Sequence, residues 1–152
     1  MKVLFVDTGN FCRSPVAEAI VRAKAAQAGM TLEVASAGFI DKHVGGPADQ
    51  RTIDSARARG FDLSRHVCRK IAPEDYRRFD MILAIDPENL ARARAHAPGD
   101  STARLGLFLD HAPELGRPDV PDPYYGGPEG FTLVLDLVER AAESLIRGIL
   151  KK

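Results

Sequence analysis

One short loop carries most of the chemistry legible in this chain. Asp7-Thr8-Gly9-Asn10-Phe11-Cys12-Arg13, closed by Ser14-Pro15, joins the apolar run Val3–Val6 to a helical pattern that begins at Val16. A short connection between a buried strand and a helix aims several backbone N–H groups at one point, and the helix N-terminus adds partial positive charge there. Gly9 permits a positive φ or a close approach of backbone. Asn10 tolerates the left-handed region and can hold the loop from behind with its amide. Ser14 is a good N-cap, and Pro15 suits the first helical position, where its missing N–H costs nothing. Arg13 offers a planar fork that can grip two oxygens of an oxyanion and spread the charge of a transition state. A lone Gly-Asn turn beside an exposed arginine would be ordinary; the whole string in its strand–loop–helix setting reads as an anion cradle.

A second string, Asp122-Pro123-Tyr124-Tyr125-Gly126-Gly127, could close over such a site. A carboxylic acid on a covering loop can deliver a proton to a leaving oxygen. Pro121 and Pro123 stiffen the approach of Asp122, and Tyr124 and Tyr125 could form an aromatic wall. By itself the string reads rather as a proline-rich surface turn.

The elements that must position these residues alternate strand and helix, which predicts a parallel sheet covered on both faces. Strands are expected at Lys2–Val6, Leu32–Ala35, Met81–Ile85 and Leu105–Leu109. Helices are expected from Pro15 to about Gly29, over Asp49–Arg59 with Gly60 as its stop, as a short opening at Pro73–Arg78, over Pro87–Ala97, and from Phe131 to about Leu150. In the last helix Phe131, Val134, Leu135, Val138, Ala142, Leu145 and Ile149 recur at helical spacing and read as core. Ligands of an open parallel sheet sit beyond the carboxyl ends of its strands. The Asp7–Arg13 loop lies at such an end, and the Gly- and Pro-rich stretches 39–47 and 116–128 supply candidate walls.

The 152 residues predict one domain, 1–152, with a sizeable core. Its 21 basic and 21 acidic side chains cancel, so neither nucleic acid nor a membrane surface is an expected partner. No apolar run approaches the ~20 residues of a spanning helix, and the N-terminus lacks the layout of a signal peptide. Two cysteines, Cys12 and Cys68, make no disulfide framework. A cytoplasmic protein is the simplest expectation.

The loop resembles that of the low-molecular-weight protein tyrosine phosphatases, which starts with a nucleophilic cysteine, has five intervening residues and ends in Arg-Ser. Here the first position is Asp7. The likeness continues through Ser36-Ala37-Gly38, His43-Val44-Gly45 and Pro47-Ala48-Asp49-Gln50-Arg51. It extends to Gly60-Phe61-Asp62-Leu63-Ser64 with His66 and Arg69, and to Phe79–Asp86 with Asn89. It implies an α/β fold of four parallel strands with helices on both faces, and hydrolysis of phosphotyrosine protein or a small aryl phosphate without metal or cofactor. Asp122 takes the acid role, since the family's acid motif is Asp-Pro followed by an aromatic. The resemblance also implies substrate contacts from Thr8, Gly9, Asn10, Phe11, Cys12, Ser14, Tyr124, Tyr125, Lys42 and His43, with phosphate or sulfate able to occupy the loop. Ser36 and His66 would brace Asn10, although His66 also reads as an ordinary surface histidine. Asp86 reads as an N-cap before Pro87 or as a turn residue near the site. Arg77, Arg78, Arg92 and Arg94 read as solvated faces. At Lys42 the family usually places an aromatic, so a different or more acidic substrate is expected.

Asp7 sets the mechanism expected of this chain. A carboxylate is stabilised by the same field as a thiolate but is the poorer nucleophile. At about 4 Å it also repels phosphate by roughly 4 kcal/mol per unit charge at an intermediate dielectric. Impaired turnover follows, and so does the loss of redox protection by a disulfide, since Cys12 has no thiol partner at position 7. The runner-up is a non-catalytic module that binds phosphate or a phosphoprotein. An arsenate reductase fits less well, because Cys68 alone is an unconvincing redox partner. A haloacid-dehalogenase phosphatase would need a second Asp at Gly9, and an actin-like sugar kinase would need a second domain.

Overall fold

The structure is a computed structural model that describes residues 1–123 and 127–151. Four parallel strands run in the spatial order β2-β1-β3-β4: β1 (Lys2–Val6), β2 (Glu33–Ala37), β3 (Met81–Ala84) and β4 (Arg104–Leu107). The helices between and after them are α1 (Arg13–Gln27), α2 (Gln50–Arg57), α3 (Asp75–Arg78), α4 (Pro87–His96) and α5 (Pro128–Leu150).

The alternation of side chains along the two inner strands divides the core. Val3 and Phe5 of β1, with Met81 and Leu83 of β3, face a layer built from α1, α2 and α5. Leu4 and Val6, with Ile82 and Ala84, face Tyr76 of α3, Phe79 just after it, and Leu90 and Ala93 of α4. Both inner strands are buried on both faces, which is why they read as continuous apolar runs rather than as alternating ones.

The strand ends depart slightly from expectation. β2 continues through Ser36 and Ala37, because Phe5 pairs with Ser36 and Val6 with Ala37. This carries Ser36 to the carboxyl end of the sheet, beside the Asp7 loop. β4 stops at Leu107, where Phe108–His111 winds into a 3-10 turn that sets the Phe108 ring edge-on against Phe5 at 4.9 Å. α2 ends at Arg57, short of the expected Arg59, and the chain turns at Gly60 with φ +87°.

Gly38, immediately after β2, is the glycine that the site cannot replace. A Cβ there would lie 2.7 Å from the Asn10 nitrogen, 2.8 Å from the Gly9 carbonyl carbon and 3.0 Å from the Thr8 oxygen, all backbone atoms. No flexible side chain can yield to relieve that contact. Gly38→Ala is therefore expected to lower unfolding stability by about 1–3 kcal/mol, measured as a shifted urea midpoint at unchanged slope. A loss below half a kcal/mol would mean that the Asp7 loop can move away from β2 without cost.

Candidate active site

The carboxyl end of β1 delivers Asp7 into a loop whose geometry is centred on Asn10. Asn10 adopts the left-handed conformation, φ 56°, and every polar group it has is used. Its backbone N–H donates to Asp7 Oδ1 at 2.6 Å. Its Nδ2 donates to Ser14 Oγ at 3.0 Å and Ser36 Oγ at 2.9 Å. Its Oδ1 accepts from the Arg69 N–H at 2.9 Å, and its carbonyl pairs with His66 Nε2 at 2.9 Å. Ser36 in turn donates to Glu18 Oε1 at 2.6 Å. Ser36 and His66 thus both reach Asn10, and His66 is not an ordinary surface histidine.

Ser14 differs from its expected role. α1 begins at Arg13 with Cys12 at the cap position and no side-chain cap. The hydroxyl of Ser14 accepts from Asn10, while its backbone N–H donates to Asp7 Oδ2 at 2.8 Å. The cap is absent because Asp7, at the end of the strand, reaches across and takes that helix-terminal N–H. Gly9 keeps a negative φ; its use is space, since a Cβ there would meet His43 Cδ2 at 3.2 Å.

Arg13 is buried, 7 % exposed. Its Nη1 donates to Asp86 Oδ2 at 2.8 Å and to the Val120 carbonyl at 2.9 Å. Asp86 caps α4 through the Asn89 N–H at 2.8 Å. The N-cap reading of Asp86 therefore holds, but it omitted the ion pair that orients Arg13. Arg92 also departs from expectation: its Nη1 donates to Thr8 Oγ1 at 3.0 Å, and Thr8 donates to Asn89 Oδ1 at 3.3 Å. Arg77 and Arg78 do lie on the surface, in exposed pairs with Asp100 and Glu33.

Asp7, Thr8, Gly9, Phe11, Cys12 and Arg13 line a cleft of about 160 Å³, walled by Ile40, Lys42, His43 and Asp122. The His43 ring stacks on Phe11, with centroids 3.7 Å apart and planes within 4°. Thus the loop, Lys42, His43 and Asp122 come together, whereas Asn10 and Ser14 support the cleft from behind. Tyr124 and Tyr125 fall outside the described residues. Among those described, no cluster of three or more His, Cys, Asp or Glu could hold a metal ion. No described helix is long and apolar enough to cross a membrane.

Burial pushes the Asp7 carboxyl above its ordinary pKa, against the pull of the Ser14 and Asn10 N–H groups and of Arg13. Burial opposes the charge on Arg13, but Asp7 and Asp86 outweigh it and hold the guanidinium protonated. Burial, together with the negative field of Asp7, Asp49 and Asp122, drives the Cys12 thiol up to about 12, although Thr52 pulls the other way. Its Sγ lies 3.0 Å from Thr52 Oγ1. Cys68, also a free thiol, is pushed up to about 11 by burial and Asp7. Burial and Lys42 lower the pKa of His43.

Sequence reading missed four supports: Asp86 on Arg13, Asn89 and Arg92 on Thr8, and Thr52 on Cys12. Only Asp86 carried a local signal, as an Asp-Pro helix start. The others meet the loop across at least 40 residues of chain, and spacing alone does not display such contacts.

A model of the low molecular weight phosphotyrosine protein phosphatase family matches residues 2–152. YfkJ of Bacillus subtilis, a low molecular weight protein-tyrosine-phosphatase, is 36% identical over 154 residues, covering 100% of this chain and 97% of its own. The corresponding phosphatase of Streptomyces coelicolor is 39% identical over 153 residues, covering 97% and 93%. The crystal structure of a protein tyrosine phosphatase from Entamoeba histolytica, with Hepes in its active site, superposes with a TM-score of 0.93 at 33% identity over 99% of this chain and 97% of that one. With the family model spanning residues 2–152 and relatives 36–39% identical over nearly the whole chain, the chain belongs to the low molecular weight phosphotyrosine protein phosphatase family.

Proposed function

We propose that this chain is a single-domain cytoplasmic tyrosine phosphatase scaffold whose cleft takes the phosphoryl group of a phosphotyrosine protein or small aryl phosphate, with turnover impaired at Asp7. One observation carries the reading: the Asp7 carboxylate sits at the floor of the cleft, held by the Asn10 and Ser14 N–H groups at 2.6 and 2.8 Å. This is the position where the family resemblance expects the attacking thiol. The other cysteine of the loop is a poor substitute, because Cys12 is buried against Thr52 and its thiolate is disfavoured. Hydrolysis of a small aryl phosphate by this chain and by Asp7→Cys, side by side, tests the reading.

The remaining roles in this reading are supported by placement. The loop N–H groups and the helix N-terminus stabilise the phosphoryl oxygens. Arg13, oriented by Asp86, supplies the compensating charge, and Asp122 on the cleft wall is the acid for the leaving group. Lys42 on the rim favours acidic residues flanking the phosphorylated one. The runner-up is a non-catalytic phosphoryl-binding module, which keeps the same cradle and dispenses with turnover. The arsenate reductase reading has less support, since Cys12 and Cys68 are separately engaged, by Thr52 and by the Pro47 carbonyl.

In the Asp7→Cys background, Arg13→Lys is expected to lower kcat on the order of 10²–10³-fold, the cost of removing a transition-state donor. A lysine ammonium cannot hold Asp86 and the Val120 carbonyl while also presenting a fork to the cleft. Near-normal kcat in that double variant would show that the loop N–H groups suffice.

A further inference from the structure

Asp7 stands where an incoming oxyanion would seek hydrogen-bond donors. Two loop N–H groups already serve its carboxylate, and the residue is 3% exposed at the floor of the cleft. Among the described residues Arg13 is the one buried cation, and Asp86 already draws on it. The other charged or titratable groups around Asp7 are Cys12 beside it, Lys42, His43 and Asp122 on the walls, Asp49 at the start of α2, and Cys68. His66 is one step removed, on the Asn10 carbonyl. A dianion entering this cleft would set three negative charges beside one guanidinium. One additional proton removes a charge and turns a repulsive contact between oxygens into an O–H···O⁻ hydrogen bond.

Resting on the phosphoryl-binding reading above, we propose that the cleft binds a phosphoryl group together with one proton shared between Asp7 and the ligand, so that Asp7 selects phosphate over sulfate. Phosphate and its monoesters retain a proton on part of the population near neutral pH, the second pKa of an ester being about 6. Sulfate brings none, so its proton must reside on Asp7. The burial that raises the Asp7 pKa favours the protonated carboxyl, and so moves upward the pH at which the discrimination begins. Once Asp7 is ionised in the free protein, each pH unit lowers sulfate affinity about tenfold by mass action. Phosphate loses affinity in that way only above its own second pKa, so the preference for phosphate widens as pH rises between the two.

The test is calorimetric titration of the full chain with sodium phosphate and sodium sulfate at pH 5.5, 6.5 and 7.5, at constant ionic strength. Phosphate is expected to bind about tenfold or more tightly than sulfate at pH 7.5, with a smaller ratio at pH 5.5. In Asp7→Asn both anions should bind, within about threefold of one another. His43 and His66 remain in that variant, so a preference that survives there belongs to them and overturns the proposal. A variant-free measurement accompanies it: phosphate binding at pH 8 should take up about one proton, read from the dependence of the enthalpy on buffer ionisation heat. Equal affinities without pH dependence, or no proton uptake, would overturn the inference. So would anion binding to Asp7→Asn alone, which would make Asp7 a plug. If Asp7→Cys hydrolyses aryl phosphates while the parent fails to discriminate, only this inference falls. If neither anion binds the parent, Asp7→Asn or Asp7→Cys, the phosphoryl-binding reading falls with it.

Discussion

Asp7→Cys is expected to raise the rate of aryl phosphate hydrolysis on the order of 10⁴-fold or more, with chelator present or absent. Loss of the nucleophile from a covalent mechanism costs on the order of 10⁶-fold in kcat, so on the proposed reading a thiol supplied at position 7 should recover a large part of that. Position 7 is suited to a thiolate by its surroundings: the amino end of α1, the Asn10 and Ser14 N–H groups, and Arg13 held by Asp86. These lower a thiol pKa, and the thiolate is the attacking species. The substitution also removes the negative charge that an incoming phosphate meets. Cys12 supplies the control. With its pKa near 12, on the order of one molecule in 10⁵ carries the thiolate at pH 7, so Asp7→Cys combined with Cys12→Ser should retain the activity. Two results would count against the assignment: a folded Asp7→Cys protein as inactive as its parent, or parental activity that Cys12→Ser abolishes.

The fold was legible in the chain to a degree the site was not, for a physical reason. β1 and β3 are buried on both faces, so Val3–Val6 and Met81–Ala84 advertise themselves as unbroken apolar runs, and the apolar stripe of α5 has helical spacing. Each is a local signal summed over several residues. The loop was legible for a similar reason, since Asp7 through Ser14 are contiguous and end where a helix starts. The supports of the loop are pairwise contacts between single side chains far apart in sequence. Asp86 meets Arg13 across 73 residues, and Arg92 meets Thr8 across 84. On α4, Arg92 sits four residues after Glu88 and pairs with it, so it resembles an exposed helix face from sequence alone. Gly38 illustrates the same limit. Its φ is unexceptional, and the need for glycine comes entirely from the Asn10, Gly9 and Thr8 backbone on a neighbouring segment.

Asp122→Asn, placed in the Asp7→Cys background, is expected to slow hydrolysis by an amount that depends on the leaving group. The chain reaches Asp122 from an anchored point: the Val120 N–H donates to the Ile85 carbonyl at 3.0 Å, and the Val120 carbonyl accepts from Arg13 at 2.9 Å. Two residues later Asp122 is exposed and contributes to the cleft wall, while Pro123 behind it is buried. A carboxyl there can hand its proton to the bridging oxygen as the bond to phosphorus breaks. A basic phenolate needs that proton in the transition state, so its ester should lose about 10²–10⁴-fold, the usual contribution of general acid catalysis. A nitrophenolate departs nearly unaided, and its ester should lose much less. The penalty should therefore grow with the pKa of the phenol. Single-turnover rates across a series of substituted phenyl phosphates would show the trend. A penalty of the same size for every leaving group would reduce Asp122 to a residue that shapes the wall. The proton would then have to come from water or from another side chain at the mouth of the cleft.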